Sequence, residues 1–199
     1  SMGRREFGLD GKPLSRAAHA AVTAYVVHEG LRGSRTPHGV VGYTTEMGTS
    51  RENPEIADGR MKWSRSTWPL RMQVFVPAPG LHDDGCALAA INGVCQNLDG
   101  ESVLWAARAA AAAGGRYDRV ILMVIADGLP CGADDTEIES QYLRDSVERV
   151  AHAGIEVYGV GMEIGDMATF RSFYPDKRPT RRRAATGCIN VASAEGLSH

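Results

Sequence analysis

The stretch Arg119 to Pro130, RVILMVIADGLP, constrains the fold more than any other part of the chain. Seven consecutive apolar residues, Val120 to Ala126, run directly into Asp127, Gly128 and Pro130. A continuous apolar run of that length reads as a strand buried on both faces, because parallel sheets are covered by helices on both sides. Ligands of open α/β sheets bind beyond the carboxyl ends of the strands. Gly128 would let the backbone turn away there and leave the Asp127 side chain facing a crevice. The plainer alternative is that Asp127 caps the loop or helix that follows.

The rest of the chain alternates between helical and extended patterns. Pro13 fits a first helical position, and Leu14, Ala18, Ala21, Val22, Tyr25 and Val26 recur at helical spacing until Gly30, which predicts a helix with one apolar face against a sheet. His38 to Thr45, HGVVGYTT, reads as a strand. From Glu46 to Pro79 the pattern dissolves into Gly, Pro, Ser and Arg around Trp63 and Trp68, which reads as an irregular insertion. Ala87 to Val94 and Ser102 to Ala113 read as helices, the second stopped by Gly114-Gly115. Glu137 to Ala153 carries Ile138, Tyr142, Leu143, Val147 and Val150 on one stripe, Ile155 to Val160 reads as a second buried strand, and Cys188 to Val191 as a last short one. This order predicts a parallel sheet joined by right-handed crossovers, with helices on both faces.

With 199 residues, 43% hydrophobic and 23% charged, the chain suits one core, so residues 1–199 read as a single domain. A formal net charge of -2 carries no global footprint for nucleic acid or an anionic membrane. No apolar run reaches the ~20 residues that span a bilayer, and no signal-peptide core stands at the N-terminus, so a cytoplasmic protein is expected. Cys86, Cys95, Cys131 and Cys188 show no zinc spacing and read as free buried thiols.

Asn97 to Ala106, NLDGESVLWA, followed by RVILMVIADGLPCGADDTEIESQYLRDSVERV and IEVYGVG, resembles the von Willebrand factor A-like domain at the C-terminal end of the cobaltochelatase T subunit. GYTTEMGTSREN (Gly42 to Asn53) and the PLR around Leu70 fit the same family in order, whereas residues 175–199 form a divergent C-terminal segment. The resemblance implies a three-layer α/β fold of the integrin I-like kind, with a mostly parallel central sheet. It also implies a metal-ion-dependent adhesion site on three loops at the sheet's carboxyl edge. Mg²⁺ suits such a site, being a hard ion that takes six oxygens and keeps several waters.

On that mapping Asp127 matches the third-loop acid, and Asp99 is the candidate for the second loop, with Glu101 able to substitute. Ser1-Met2-Gly3 matches only the tail of the family's first-loop Asp-x-Ser-Gly-Ser-Met, so the first strand and its Asp would stand before residue 1. Three readings are open: Ser1 as a tag remnant before a native Met2, an upstream strand outside this sequence, or a divergent member that dispenses with it. Without the strand a parallel sheet has two unpaired edges and an apolar slot for another segment or another chain. A metal set of Ser1, Asp99 and Asp127 would hold Mg²⁺ weakly.

The family works with an AAA+ ATPase and a large chelatase subunit in inserting cobalt into a corrin ring. The resemblance therefore implies a non-catalytic adaptor within a ring complex, with neither nucleic acid nor membrane as partner. No G-x-x-x-x-G-K-[ST] loop and no G-x-S-x-G elbow occurs, so ATP dependence would come from the partner. Two alternatives stand beside it: partner of a MoxR-like AAA+ protein-remodelling system, or a Mg-dependent hydrolase using Asp127.

Further clusters each carry two readings. Asp134 and Asp135 are an acid/base pair or the acidic start of a helix. His82-Asp83-Asp84 is a metal-ligand group or a solvated lead-in turn. Lys177, Arg178, Arg181, Arg182 and Arg183 are a grip for phosphate or an acidic partner, or a solvated loop. Trp63, Trp68 and Trp105 could line a tetrapyrrole surface, although Trp105 reads more simply as core.

Overall fold

A computed structural model describes residues 15–45, 70–92, 97–113, 117–128, 130, 136–162 and 164–191. Helix α1 (Arg16–Gly33) starts from Ser15, whose hydroxyl accepts the Ala18 N–H at 3.1 Å, and runs past Gly30 to a Ser34 cap that donates to the Gly30 carbonyl. Strand β1 (Val40–Thr45) follows, and pairs with β2 (Leu70–Val76). A 3₁₀ turn covers Cys86–Ala90 and gives way to extended backbone at Ile91, where a longer helix to Val94 was expected; residues 93–96 lie outside the described part. Helix α2 (Asp99–Ala113) then leads to β3 (Ile121–Ala126), α3 (Thr136–His152), β4 (Glu156–Met162), α4 (Met167–Phe173) and β5 (Thr186–Val191). The short α4 was not anticipated. It is set by Asp166, whose carboxylate accepts the Thr169 N–H at 3.0 Å, a cap that contributes about 1 kcal/mol.

The sheet topology is α/β as expected. β3, β4 and β5 form a parallel sheet in that order, with Ile121 opposite Glu156 and Val157 opposite Thr186. Successive β4 side chains point to opposite faces. Val157, Gly159 and Gly161 face a core made with Val124 and Ala126 of β3, Leu143, Val147 and Val150 of α3, Phe170 and Phe173 of α4, and Tyr174 just after it. A Cβ at Gly159 would collide with the Tyr174 ring, so this ring lies directly on the strand. Val160 and Met162 occupy the other face, where Thr23 of α1 donates its hydroxyl to the Met162 sulfur at 3.7 Å. Helices therefore cover both faces.

The structure corrects several expectations. Leu70–Val76, placed within the irregular stretch, is a strand antiparallel to β1. β3 was read as buried on both faces, yet among the described residues it pairs only with β4, and Ile121 and Met123 are 49% and 44% exposed. Its amino half lies beyond the reach of α1, which packs on the carboxyl half of the sheet. On α1 the predicted apolar face is turned outward: Val22, Tyr25 and Val26 are exposed, while His19, Thr23, Ala24 and His28 are buried. Polar side chains there have partners inside. His28 Nδ1 lies 2.8 Å from His38 Nε2, and His28 Nε2 lies 3.2 Å from the Asp83 carbonyl. Trp105, expected in the core, is exposed on α2, and that helix begins at Asp99 rather than Ser102.

Candidate functional site

Asp127 follows the last residue of β3 and its side chain is 55% exposed, so a carboxylate does stand at the carboxyl end of a parallel strand. Arg16, at the start of α1, approaches it, with Nη1 3.9 Å from Oδ2 and 3.5 Å from the Asp127 carbonyl oxygen. Both side chains are more than half exposed, so water screens this pair and it contributes little to stability. Residues 129 and 131–135, whose N–H groups a capping Asp127 would accept from, lie outside the described residues. Gly128 is not in the left-handed region, and among the described residues a Cβ there would meet nothing within 4 Å.

Asp99 is the buried counterpart. It opens α2 at 1% exposure, where the partial positive charge of a helix N-terminus favours a carboxylate. Tyr43 of β1 donates its hydroxyl to Asp99 Oδ1 at 2.6 Å, and Asn97 Nδ2 reaches Oδ1 and Oδ2 at 3.2 and 3.0 Å. Burial nonetheless raises the Asp99 pKa, outweighing the lowering from Tyr43 and Asn97, and the charge of Asp127 adds to the rise. Burial also pushes the Tyr43 hydroxyl well above its usual range, with the negative charges of Asp99 and Asp127 acting in the same direction. The carboxyl ends of β1 and β3 and the start of α2 therefore converge, and the two predicted acids share one end of the molecule.

The packing that holds Asp99 is tight. A Cβ on Gly100 would come within 2.6 Å of the Tyr142 ring and 3.2 Å of the Leu143 nitrogen, so the first turn of α2 approaches α3 as only glycine permits. Tyr174, fully buried, feels the Asp99 charge, and among the described residues its hydroxyl has no hydrogen-bond partner; nor, among them, has Thr45 Oγ1, buried on the same β1 face as Tyr43. Neither tyrosine was anticipated as part of the site, nor were Asn97, Thr45 and Arg16. Tyr43 carried a signal in its place in the carboxyl half of the predicted strand HGVVGYTT.

These residues fit the chemistry of a hard cation. Asp99 and Asp127 lie near enough for the charge of one to act on the other, and Asp99 carries a desolvation cost that a cation would relieve. The supply is short: no group of three His, Cys, Asp or Glu side chains assembles among the described residues, and Ser1 lies outside them. Asp99 and Asp127 are the residues that would hold the ion. Glu101 stands half-buried in the first turn of α2.

The other clusters separate. Asp83 Oδ1 accepts the Gly85 N–H at 2.8 Å and Asp84 Oδ1 the Cys86 N–H at 3.0 Å, which is the lead-in turn and leaves those oxygens occupied. Asp134, Asp135, Trp63, Trp68, Cys95 and Cys131 lie outside the described residues. Cys86 and Cys188 are free thiols, but Cys86 is exposed and Cys188 half-buried, where the sequence predicts buried ones. No helix among the described residues is long and apolar enough to cross a membrane. In comparison with known families, the model described as the cobalamin biosynthesis protein CobT VWA domain matches residues 8–174. No curated protein matches the chain.

Proposed function

The chain belongs to the family of cobalamin biosynthesis protein CobT VWA domains, and from that premise we propose that it is a non-catalytic adaptor of a cobaltochelatase-like complex. Its carboxyl sheet edge docks an AAA+ ATPase subunit or the large chelatase subunit, and so couples ATP-driven movement to metal insertion into a corrin ring elsewhere in the assembly. The observation that carries this reading is the convergence of buried Asp99 and exposed Asp127 at one sheet edge.

Asp127 and Asp99 would hold a Mg²⁺ ion, which when bound supplies a coordination position that a carboxylate of the partner can take. Asp99 is fixed in place by Tyr43 and Asn97. Asp127, accessible to solvent, meets the partner. Arg16 would then exchange its contact with Asp127 for one with the arriving acid.

The test is a pull-down with the cognate AAA+ ATPase, repeated with Asp127→Ala and with EDTA. The adaptor reading expects capture to fall sharply in both arms. Undiminished capture in both, or turnover of phosphoesters by the isolated chain with Mg²⁺, overturns it.

A further inference from the structure

Five cations and one anion stand between Asp176 and Arg183, a net of +4 in a chain whose formal charge is -2. The structure sorts them. Lys177, on the surface, and Arg183, largely covered, both pair with a single acid, Glu148 of α3, with Nζ 3.1 Å from Oε2 and Nε 3.0 Å from Oε1. Burial alone would raise the Glu148 pKa, but the hydrogen bonds and charges of Arg183 and Lys177 hold it below the usual range. Arg178, Arg181 and Arg182 are exposed, and none of them forms an ion pair among the described residues.

The segment that displays them is a fixed hairpin. Lys177 bridges Thr186 through N–H to carbonyl bonds of 3.0 and 3.1 Å in both directions, and Thr180 N–H reaches the Arg183 carbonyl at 2.8 Å. His152 Nδ1 lies 3.0 Å from the Arg182 carbonyl, and the Ala184 N–H donates to Ala151 at 2.8 Å, which fastens the hairpin to the end of α3. Arg183 Nη2 donates to Thr186 Oγ1 at 2.8 Å. The hairpin enters β5 at Thr186, beside Val157 near the start of β4, so it lies at the opposite end of the parallel strands from Asp127. It also lies beyond Tyr174, where the family match ends.

We propose that this hairpin is a docking site for an extended acidic peptide segment, gripped by Arg178, Arg181 and Arg182. Guanidinium groups bind carboxylates bidentately, and a pre-ordered backbone leaves only the side chains to be immobilised on binding. Charge alone suits a polycarboxylate and a phosphate backbone alike, and the residues around the arginines favour the peptide. The PDKRPTRRRA stretch contains no aromatic side chain on which a base could stack, and three cations on one turn do not form a groove that tracks a phosphate backbone. The site is separate from the carboxyl sheet edge and does not require a metal.

The test uses the full chain and a fluorescein-labelled octaglutamate peptide, read by anisotropy at low ionic strength and at about 0.15 M. The parent binds and weakens as salt rises. The variant Arg178→Ala/Arg181→Ala/Arg182→Ala loses affinity by about tenfold or more, while a charge-removal control elsewhere, Arg71→Ala/Arg108→Ala, binds as the parent does. Circular dichroism verifies that both variants are folded. The proposal is overturned by equal binding of the hairpin variant, by an equal loss in the control, or by tighter binding of a thymidine octanucleotide than of the peptide. Asp127→Ala should bind the peptide unchanged, so failure here is distinguishable from failure of the proposed adaptor face.

Discussion

Replacing Tyr43 by Phe removes one oxygen from a site where the structure allows the cost to be worked out. The Tyr43 hydroxyl donates at 2.6 Å to Asp99, a carboxylate 1% exposed, and water cannot replace it. Hydrogen bonds to charged groups contribute about 1.5–3 kcal/mol. Asn97 still reaches both Asp99 oxygens, which places the expected loss near the lower half of that range, at about 2 kcal/mol. For a chain of this size that corresponds to a fall in Tm of about 4–8 °C.

The deficit also has a predicted pH dependence. Because the folded Asp99 pKa is raised, its contribution to stability is fully present below the unfolded value of 3.8 and is lost as pH rises through the folded value. Ionised Asp99 is the form that needs the Tyr43 donor most. The Tyr43→Phe deficit should therefore be largest on the alkaline side of the Asp99 titration and shrink towards about 1 kcal/mol, a neutral hydrogen bond, on the acid side. Thermal melts followed by circular dichroism across pH measure this. A deficit that is absent at every pH, or that grows on acidification, would refute the assignment of a buried, Tyr43-supported carboxylate.

Three further outcomes follow from the same geometry. Gly100→Ala should destabilise by about 1–3 kcal/mol in urea unfolding, because the added methyl meets Tyr142 and the Leu143 backbone; a loss below a few tenths would show that the helices can part freely. Glu148→Gln should weaken the acid dependence of unfolding: the folded pKa is lowered from 4.5, so the stability Glu148 contributes is present above that value and disappears as pH falls through the folded one. Parent and variant melts that fall in parallel through the acid range would contradict this. Asp127→Ala should lower the free energy of unfolding in urea by less than about 1 kcal/mol, since its Arg16 pair is solvent-screened, and a larger loss would mean that Asp127 is structural.

Local patterns were readable in the sequence wherever apolar residues run continuously or recur at helical spacing. The ILMVIA and EVYGVG runs are parallel strands, and the stripe of Leu143, Val147 and Val150 is the buried face of α3. β2 was missed although Leu70, Met72 and Val74 alternate with Arg71 and Gln73, because the surrounding Gly, Pro and Arg content masked a period of two. The rotation of α1 was not legible. It depends on partners distant in the chain, Met162 for Thr23 and His38 and Asp83 for His28, which make polar residues internal and leave Tyr25 and Val26 outside.

The candidate site divides along the same line. Asp127 could be found from the strand that precedes it and Asp99 from the resemblance, while Tyr43 and Tyr174 enter only through tertiary packing. The basic cluster illustrates the converse. Five cations were visible, but the split between two bound by Glu148 and three left on the surface requires the fold.

The most direct measurement is calorimetric titration of Mg²⁺ into the chain, beside Asp127→Ala. A carboxylate pair that cooperates in holding the ion predicts saturable binding by the parent, a rise in Tm with Mg²⁺, and loss of both in the variant. Identical titrations for the two proteins would contradict a metal held at the carboxyl edge, and with it the docking face built upon it.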